Sequence, residues 1–216
     1  MAKFGLACEG ITDQIVIENI LCGFYDNIEN LEQEIQPFQP AYDETTRKQK
    51  EAGGWEILMS YLSEKRFRDD VVNSEFIIIQ VDTDICEHIN FNVKKDTSCM
   101  ETFIQAIKQK LIDFIDKKQL FYEANKDKII FAISVHSLEC WLLPIYKTIK
   151  TDKIVGCFET LKAESQKINV TKKKESYVIY DKLSRPLSNN RNLLNIAAKN
   201  VSLNKFINSL PDKSLL

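Results

Sequence analysis

The sequence predicts an α/β fold in which a mostly parallel sheet is flanked by helices. Three apolar stretches have the length and composition of buried strands: Lys3 to Cys8, Phe76 to Val81 and Lys128 to Val135. Each is followed by a segment with the apolar spacing of a helix, and strands that alternate with helices pair in parallel beneath those helices. A Rossmann-like sheet is therefore the expected architecture.

The elements between these strands follow the same alternation. The first strand leads through a glycine turn into a helix for which Thr12 or Asp13 is the expected N-cap. We then expect a short edge strand at Ile35 to Phe38, a helix from Gly53 to about Phe67, and a long amphipathic helix from about Met100 to Lys117.

The last third of the chain is helical in pattern. A helix begins near Ser137, and Pro144 bends or ends it. Further helices are expected at Asp152 to Lys167, Tyr177 to Leu183 and Asn190 to Ala198. We interpret residues 1–146 as the main domain and residues 147–216 as a basic helical extension packed on the same domain.

The net charge of −2 conceals a division between these two parts. Residues 1–146 contain 15 Lys and Arg against 25 Asp and Glu, whereas residues 147–216 contain 14 against 6. A basic extension suits a phosphate-rich polymer, and its candidate nucleic-acid-binding residues are Lys172, Lys173, Lys174 and Lys182. The alternative is that the two halves pair with each other or that the charges only solvate the surface.

The composition is that of an ordinary globular protein, with 44% apolar and 28% charged residues among 216. No apolar run approaches the ~20 residues of a membrane span, and the N-terminus does not resemble a signal peptide. We therefore expect a cytoplasmic protein.

Six cysteines are scattered along the chain without a CxxC pair. This pattern predicts free thiols packed in apolar segments rather than a zinc site or a disulfide. Cys86 and Cys140 lie near acidic residues, but no histidine spacing supports either as a nucleophile.

Acidic residues follow all three confident strands. Glu9 follows the first, Asp82 and Asp84 follow the second, and Glu139 follows the third after a brief turn. The carboxyl ends of parallel strands share one edge of the sheet, so these carboxylates are expected to converge as metal ligands. Asp82 and Asp84 can share a site only if the strand ends between them.

Other roles remain open for the acids and for the two histidines. Asp82 and Asp84 could cap a loop, Glu139 could be stabilised by a helix dipole alone, and capping is the favoured role of Asp13. A solvated or backbone-bonded role is favoured for His88 and His136 over a role in catalysis.

Three blocks of the sequence carry a family resemblance. They are CEGITD at residues 8–13, VDTD at 81–84 and SLECWLL at 137–143. Their order and spacing resemble the Toprim domain, most closely that of the OLD-family (overcoming lysogenization defect) nucleases and the small stand-alone Toprim proteins of phage-defence systems. The resemblance covers roughly the first 145 residues. The glycine that follows the Asp-x-Asp pair in topoisomerases and primases is absent, so those branches fit less well.

The resemblance implies a metal-dependent endonuclease that cleaves DNA or RNA, with residues 1–146 as its Toprim-like catalytic domain. Glu9, Asp82 and Asp84 would bind Mg²⁺ or Mn²⁺, Glu139 would bind a second ion, and a lysine such as Lys182 would neutralise the transition state. The ATPase domain that precedes Toprim in full-length OLD proteins is missing, which suggests a separately encoded ATPase partner; an oligomer is possible.

Two other functions remain. One is a non-catalytic Toprim-like subunit that binds a partner or nucleic acid within such a complex. The other is a haloacid-dehalogenase-like phosphatase, whose motif calls for Thr or Val where Cys86 stands.

Overall fold

The computed structural model describes residues 2–43, 48–49, 54–147, 155–166 and 176–216. Lys172, Lys173 and Lys174 lie outside the described residues. The described strands are β1 (Ala2–Ala7), β2 (Ile35–Gln39), β3 (Tyr42–Asp43), β4 (Lys48–Gln49), β5 (Ser74–Asp82) and β6 (Ile129–Ser134). The described helices are α1 (Ile11–Phe24), α2 (Trp55–Ser63), α3 (Lys65–Val72), α4 (Met100–Ile115), α5 (Leu120–Asn125), α6 (Glu139–Tyr146), α7 (Cys157–Gln166), α8 (Ser176–Ser184), α9 (Asn190–Ala197) and α10 (Val201–Ser209).

Four strands form one parallel sheet in the order β2-β1-β5-β6, and β3 pairs with β4 in an antiparallel ribbon. The prediction of an α/β fold with a parallel sheet flanked by helices is thus confirmed. The edge strand predicted near Ile35 is also confirmed, as β2. None of the helices in the described part of the chain combines the length and the apolar composition needed to cross a bilayer.

The two faces of the sheet bury different side chains of β5. Ile77, Ile79 and Val81 lie in a core cluster with residues of α2, α3 and α4. Ile78 faces the other way and lies in a second cluster that includes residues of α1, α6 and α8 to α10. Because both faces are covered, β5 is apolar throughout its middle except at Gln80, which is fully buried.

Several boundaries differ from the predicted ones. The helix predicted from Gly53 to Phe67 is two helices, because Glu64 adopts an extended conformation between α2 and α3. The α1 helix begins at Ile11, so its N-cap is Gly10 and the prediction of Thr12 or Asp13 at that position was wrong. The α10 helix was not predicted.

The C-terminal helices pack closely against α1. A β-carbon added at Gly23 would lie 1.9 Å from the backbone oxygen of Leu187, in the 3₁₀ turn Arg185–Ser188 that follows α8. Only glycine allows this approach of the two backbones. Asn19 adds a hydrogen bond from its amide nitrogen to the Ser184 hydroxyl at 2.8 Å. The position of α8 is therefore fixed by α1, whose N-terminus follows Glu9.

A disulfide joins Cys140, in the first turn of α6, to Cys157, at the start of α7, with their Cα atoms 5.1 Å apart. The prediction that all six cysteines are free thiols was therefore wrong for these two. No local motif marks the pair, because only the fold brings the starts of the two helices together. Cys8, Cys22, Cys86 and Cys99 are free thiols.

Alkylation of the unfolded, unreduced protein should label four thiols, and prior reduction should raise the number to six. Reduction should also lower the free energy of unfolding by about 3 kcal/mol, the scale expected for a closed loop of this length. Mass spectrometry counts the thiols and urea denaturation measures the stability. A Cys157→Ala variant should show no further loss on reduction. Six labelled thiols before reduction would show that the disulfide is absent.

Candidate metal centre

The carboxyl ends of three adjacent strands meet at one edge of the sheet. Glu9 follows β1, Asp82 is the last residue of β5, and Glu139 is the first residue of α6, which follows β6. Ligands of open parallel α/β sheets bind at this edge. The fold therefore brings together acids that are up to 130 positions apart in the sequence, counting from residue 9 to residue 139.

The strand β5 ends at Asp82, and Thr83–Ile85 forms a 3₁₀ turn. The predicted end of the strand between Asp82 and Asp84 is therefore confirmed. This turn is tied to the one after β6, because the amide of His136 donates to Thr83 Oγ1 at 2.7 Å and the amide of Asp84 donates to the His136 oxygen at 3.0 Å. The two turns hold the ends of β5 and β6 in register.

Glu9 points at the end of β5. Its Oε1 accepts a hydrogen bond from the backbone amide of Asp82 at 2.8 Å. The Oδ1 of Asp82 in turn accepts hydrogen bonds from Gln80 Nε2 at 2.9 Å and from Ser134 Oγ at 2.7 Å. Three neighbouring strand ends thus fix the orientation of these two carboxylates.

The helices α1, α6 and α8 contribute the remaining groups. Asp13, in the first turn of α1, accepts a hydrogen bond from the Gly10 amide at 2.8 Å, which confirms its capping role. Glu139 Oε1 accepts a short hydrogen bond from the hydroxyl of Tyr180, which lies on α8. The C-terminal helices therefore reach the same edge of the sheet.

Burial and mutual repulsion raise the pKa values of these acids. Burial, followed by the charges of Asp82 and Asp84, raises the pKa of Glu9 to about 8. Burial, followed by the charges of Glu9 and Glu139, raises the pKa of Asp13 to about 8 against the opposing hydrogen bond from Gly10. Because each acid feels the charge of others, these carboxyls form one group.

The pKa of Asp82 lies well above its usual range. Burial is the main cause, and the charges of Asp13, Glu139 and Asp84 add to it, while the hydrogen bond from Ser134 opposes the rise. We name this group the acid cluster: Glu9, Asp13, Asp82, Asp84 and Glu139. Crowded carboxyls at a strand edge either retain protons or require a cation to remain ionised together.

The chemistry of the acid cluster fits a hard divalent cation, because all its donors are carboxylate oxygens. Among the described residues, the hydrogen bonds of Glu9, Asp82 and Glu139 each engage one carboxylate oxygen, and the other oxygen could bind a ligand. Within the described part of the chain, however, no three or more His, Cys, Asp or Glu side chains are already arranged as a metal-binding group. Binding would therefore require side-chain rotations that draw the free oxygens together.

The other predicted site residues lie at the border of the cluster or away from it. Asp84 is exposed in its turn and contributes charge to Glu9 and Asp82. Lys182 is exposed on α8 two positions after Tyr180, which places its side chain about 200° around the helix from the phenol. The α8 helix therefore presents Tyr180, rather than Lys182, to Glu139.

The two histidines differ in their surroundings. His88 is exposed, and its ring packs edge-on against Trp55 at 4.8 Å between centroids. His136 has a φ of 72°, and its buried Nδ1 atom has no hydrogen-bond partner among the described residues. Its main chain joins the turns after β5 and β6, but its ring Nδ1 does not make the hydrogen bond to a backbone group that the sequence favoured.

Sequence reasoning missed Tyr180, Gln80 and Ser134, and it gave Asp13 no place beside the other acids. One signal was available: Gln80 interrupts an apolar strand two residues before Asp82, so both side chains leave the same face. A buried amide in that position needs a partner, and the neighbouring carboxylate supplies it. No comparable signal marks Tyr180.

Comparison with known proteins does not assign this chain to a family. No protein-family model matches the chain, and searches of curated proteins and of solved structures also find no match. The interpretation of the site therefore depends on the acid cluster and on the three sequence blocks that surround its members.

Proposed function

We propose that this chain is a Mg²⁺- or Mn²⁺-dependent endonuclease that hydrolyses phosphodiester bonds of DNA or RNA. The observation that carries the proposal is the convergence of Glu9, Asp82 and Glu139 at one sheet edge, where buried carboxyls repel one another. The Toprim resemblance of the three sequence blocks supplies the substrate class. We also propose that the α/β fold of this chain is of the Toprim type.

In this proposal the acid cluster holds the metal. Glu9, Asp82 and Asp84 would bind one ion, and Glu139 would contribute to a second. Bound divalent ions would supply Lewis-acid stabilisation of the charge that develops on the phosphodiester. Gln80 and Ser134 hold Oδ1 of Asp82, and the Asp82 amide holds Oε1 of Glu9, while the other oxygens of these carboxylates would move together around the ion.

The basic extension supplies the proposed contacts with nucleic acid. Lys182 is exposed on α8, the helix whose Tyr180 reaches Glu139, so it lies on an element adjacent to the acid cluster. Lysines on this part of the chain would attract a phosphate backbone without reading its sequence. The same role is proposed for Lys172, Lys173 and Lys174.

The partner and the biological setting of the proposal come from the resemblance alone. By analogy with the OLD-family nucleases, the chain would be the effector of a phage-defence system that works with a separately encoded ATPase. Activity could then depend on the complex, whereas metal binding belongs to this chain. Metal binding is therefore the first property to measure.

A non-catalytic subunit is the second candidate function. It is favoured by the lack of a ready-made metal-binding group in the described ranges. In that case the acid cluster would be a structural feature, and neutralising one of its members would change neither metal affinity nor nucleic-acid cleavage.

A Glu9→Gln variant separates the two candidates. Gln keeps the oxygen that accepts the Asp82 amide but removes a charged ligand, so the fold should persist while Mn²⁺ affinity falls more than about 100-fold, beyond the effect of losing a second-shell partner. Isothermal titration calorimetry measures the affinity. Cleavage of plasmid, single-stranded DNA and tRNA is measured in the same buffers.

The matched control is Glu29→Gln, which makes the same chemical change at an exposed position. It should leave Mn²⁺ affinity and any cleavage unchanged. If the wild-type protein binds neither Mg²⁺ nor Mn²⁺, or if Glu9→Gln binds and cleaves as the wild type does, the nuclease proposal is wrong.

A further inference from the structure

The phenol of Tyr180 connects the C-terminal helices to the acid cluster. Its hydroxyl donates a short hydrogen bond to Oε1 of Glu139, 41 positions earlier in the chain. Tyr180 is partly buried, so this contact is partly sheltered from water. A hydrogen bond from a neutral donor to a carboxylate is stronger than one between neutral groups and fixes the carboxylate's orientation.

Other contacts hold Tyr180 in place. The Ser184 hydroxyl donates to the Tyr180 carbonyl at 2.7 Å and accepts from Asn19 of α1 at 2.8 Å. On the other side, the hydroxyl of Tyr146 in α6 donates to the Leu183 carbonyl at 2.7 Å. The α8 helix is therefore fixed against the two helices that carry Asp13 and Glu139.

We infer that Tyr180 is a positioning residue that orients Glu139 for a divalent cation. The phenol engages Oε1 and would leave Oε2 to bind a metal, as Gln80 and Ser134 would for Asp82 by engaging its Oδ1. This inference rests on the proposed function, since it assumes that the acid cluster binds a metal. It also gives the C-terminal extension a part in the metal site.

A purely structural role for Tyr180 is the competing explanation, and Tyr146 provides the matched control. Both phenols lie between α6 and α8, and both donate one hydrogen bond across that contact. Tyr146, however, bonds a backbone carbonyl, whereas Tyr180 bonds a carboxylate of the acid cluster. Replacing either with Phe removes one hydroxyl from the same interface, and only one of the two changes removes a donor to Glu139.

The test is the Mn²⁺ affinity of Tyr180→Phe and Tyr146→Phe, measured by calorimetry with urea denaturation of both variants in parallel. Tyr180→Phe should weaken Mn²⁺ binding about tenfold or more, the range found for second-shell partners of metal ligands. Tyr146→Phe should bind Mn²⁺ with an affinity within about twofold of that of the wild type. Both variants should lose a similar amount of stability, because each loses one hydrogen bond.

A double-mutant cycle shows whether Tyr180 acts through Glu139. In a Glu139→Gln background, Tyr180→Phe should change the Mn²⁺ affinity by less than about twofold, because the ligand that it orients is already lost. The inference is overturned if Tyr180→Phe binds as the wild type does, or if Tyr146→Phe weakens binding equally. A wild-type protein that binds no Mn²⁺ would instead reject the proposed function, and this inference with it.

Discussion

Replacing Asp82 with Asn should greatly weaken Mn²⁺ binding and, at the same time, make the metal-free protein more stable. Asp82 is crowded by Asp13, Glu139 and Asp84, which raise its pKa together with burial. Near pH 8 the folded protein must either retain a proton on Asp82 or tolerate the repulsion. An Asn side chain is uncharged, so it neither needs the proton nor repels the other acids. Its Oδ1 can still accept the hydrogen bonds from Gln80 and Ser134.

The rise in stability and the fall in Mn²⁺ affinity are measured separately. The free energy of unfolding at pH 8 without metal should rise on the order of 1 to 4 kcal/mol, the scale of one close like-charge contact at an effective dielectric constant near 20. The affinity for Mn²⁺, which removal of a charged ligand weakens, should fall more than about 100-fold, beyond the 10- to 100-fold loss caused by second-shell changes. Urea denaturation gives the first quantity and calorimetry the second.

An exposed aspartate provides the control for this substitution. Asp127→Asn should alter stability by less than about 0.5 kcal/mol and leave Mn²⁺ affinity unchanged, because Asp127 lies at the opposite end of β6 from the acid cluster. If Asp82→Asn instead destabilises the protein and still binds Mn²⁺, then Asp82 is a structural residue and not a ligand.

The metal-free protein should lose stability as the pH rises from about 5 to 8. The pKa values of Glu9 and Asp13 are raised from 4.5 and 3.8 to about 8. In this range the folded state holds protons that the unfolded state has released, so stability falls with increasing pH. The contribution is complete below the unfolded pKa values and is lost as the pH rises through the folded ones, at about 1.4 kcal/mol per pH unit for each proton that the folded state retains.

Divalent metal should reverse this trend, because it binds the ionised carboxylates and competes with their protons. Urea denaturation at pH 5, 6.5 and 8, with and without saturating Mg²⁺, checks both expectations. The stabilisation by Mg²⁺ should be smallest at pH 5 and largest at pH 8. Without metal, the stability of the Glu9→Gln variant should fall less steeply with pH than that of the wild type. Stability that is constant or rises over this range in the metal-free protein would contradict the raised pKa values.

The sheet and most of the acid cluster could be predicted because each depends on local patterns. The run Phe76 to Val81 is apolar, as a strand covered on both faces must be, and the two aspartates behind it mark where the strand ends. Parallel pairing then places Glu9 and Asp82 at the same edge. The convergence of these acids follows from strand direction alone.

The remaining features depend on contacts that no local pattern encodes. The bond between Tyr180 and Glu139 and the disulfide between Cys140 and Cys157 both arise from how C-terminal helices pack on α6. Helix periodicity predicts that α8 exists but not which residue of it meets an acid. The break at Glu64 was missed, although Leu62 and Phe67, the buried residues on either side of it, are five positions apart and do not share one helical face.

The position of Tyr180, 41 residues after Glu139, has a consequence for biosynthesis. Translation delivers Glu9, Asp82 and Glu139 in turn, and the phenol that steadies Glu139 follows all three. Nascent or prematurely terminated products that stop before α8 would carry the acids without their last support. If the acid cluster binds metal as proposed, such products should bind it more weakly than chains that include α8.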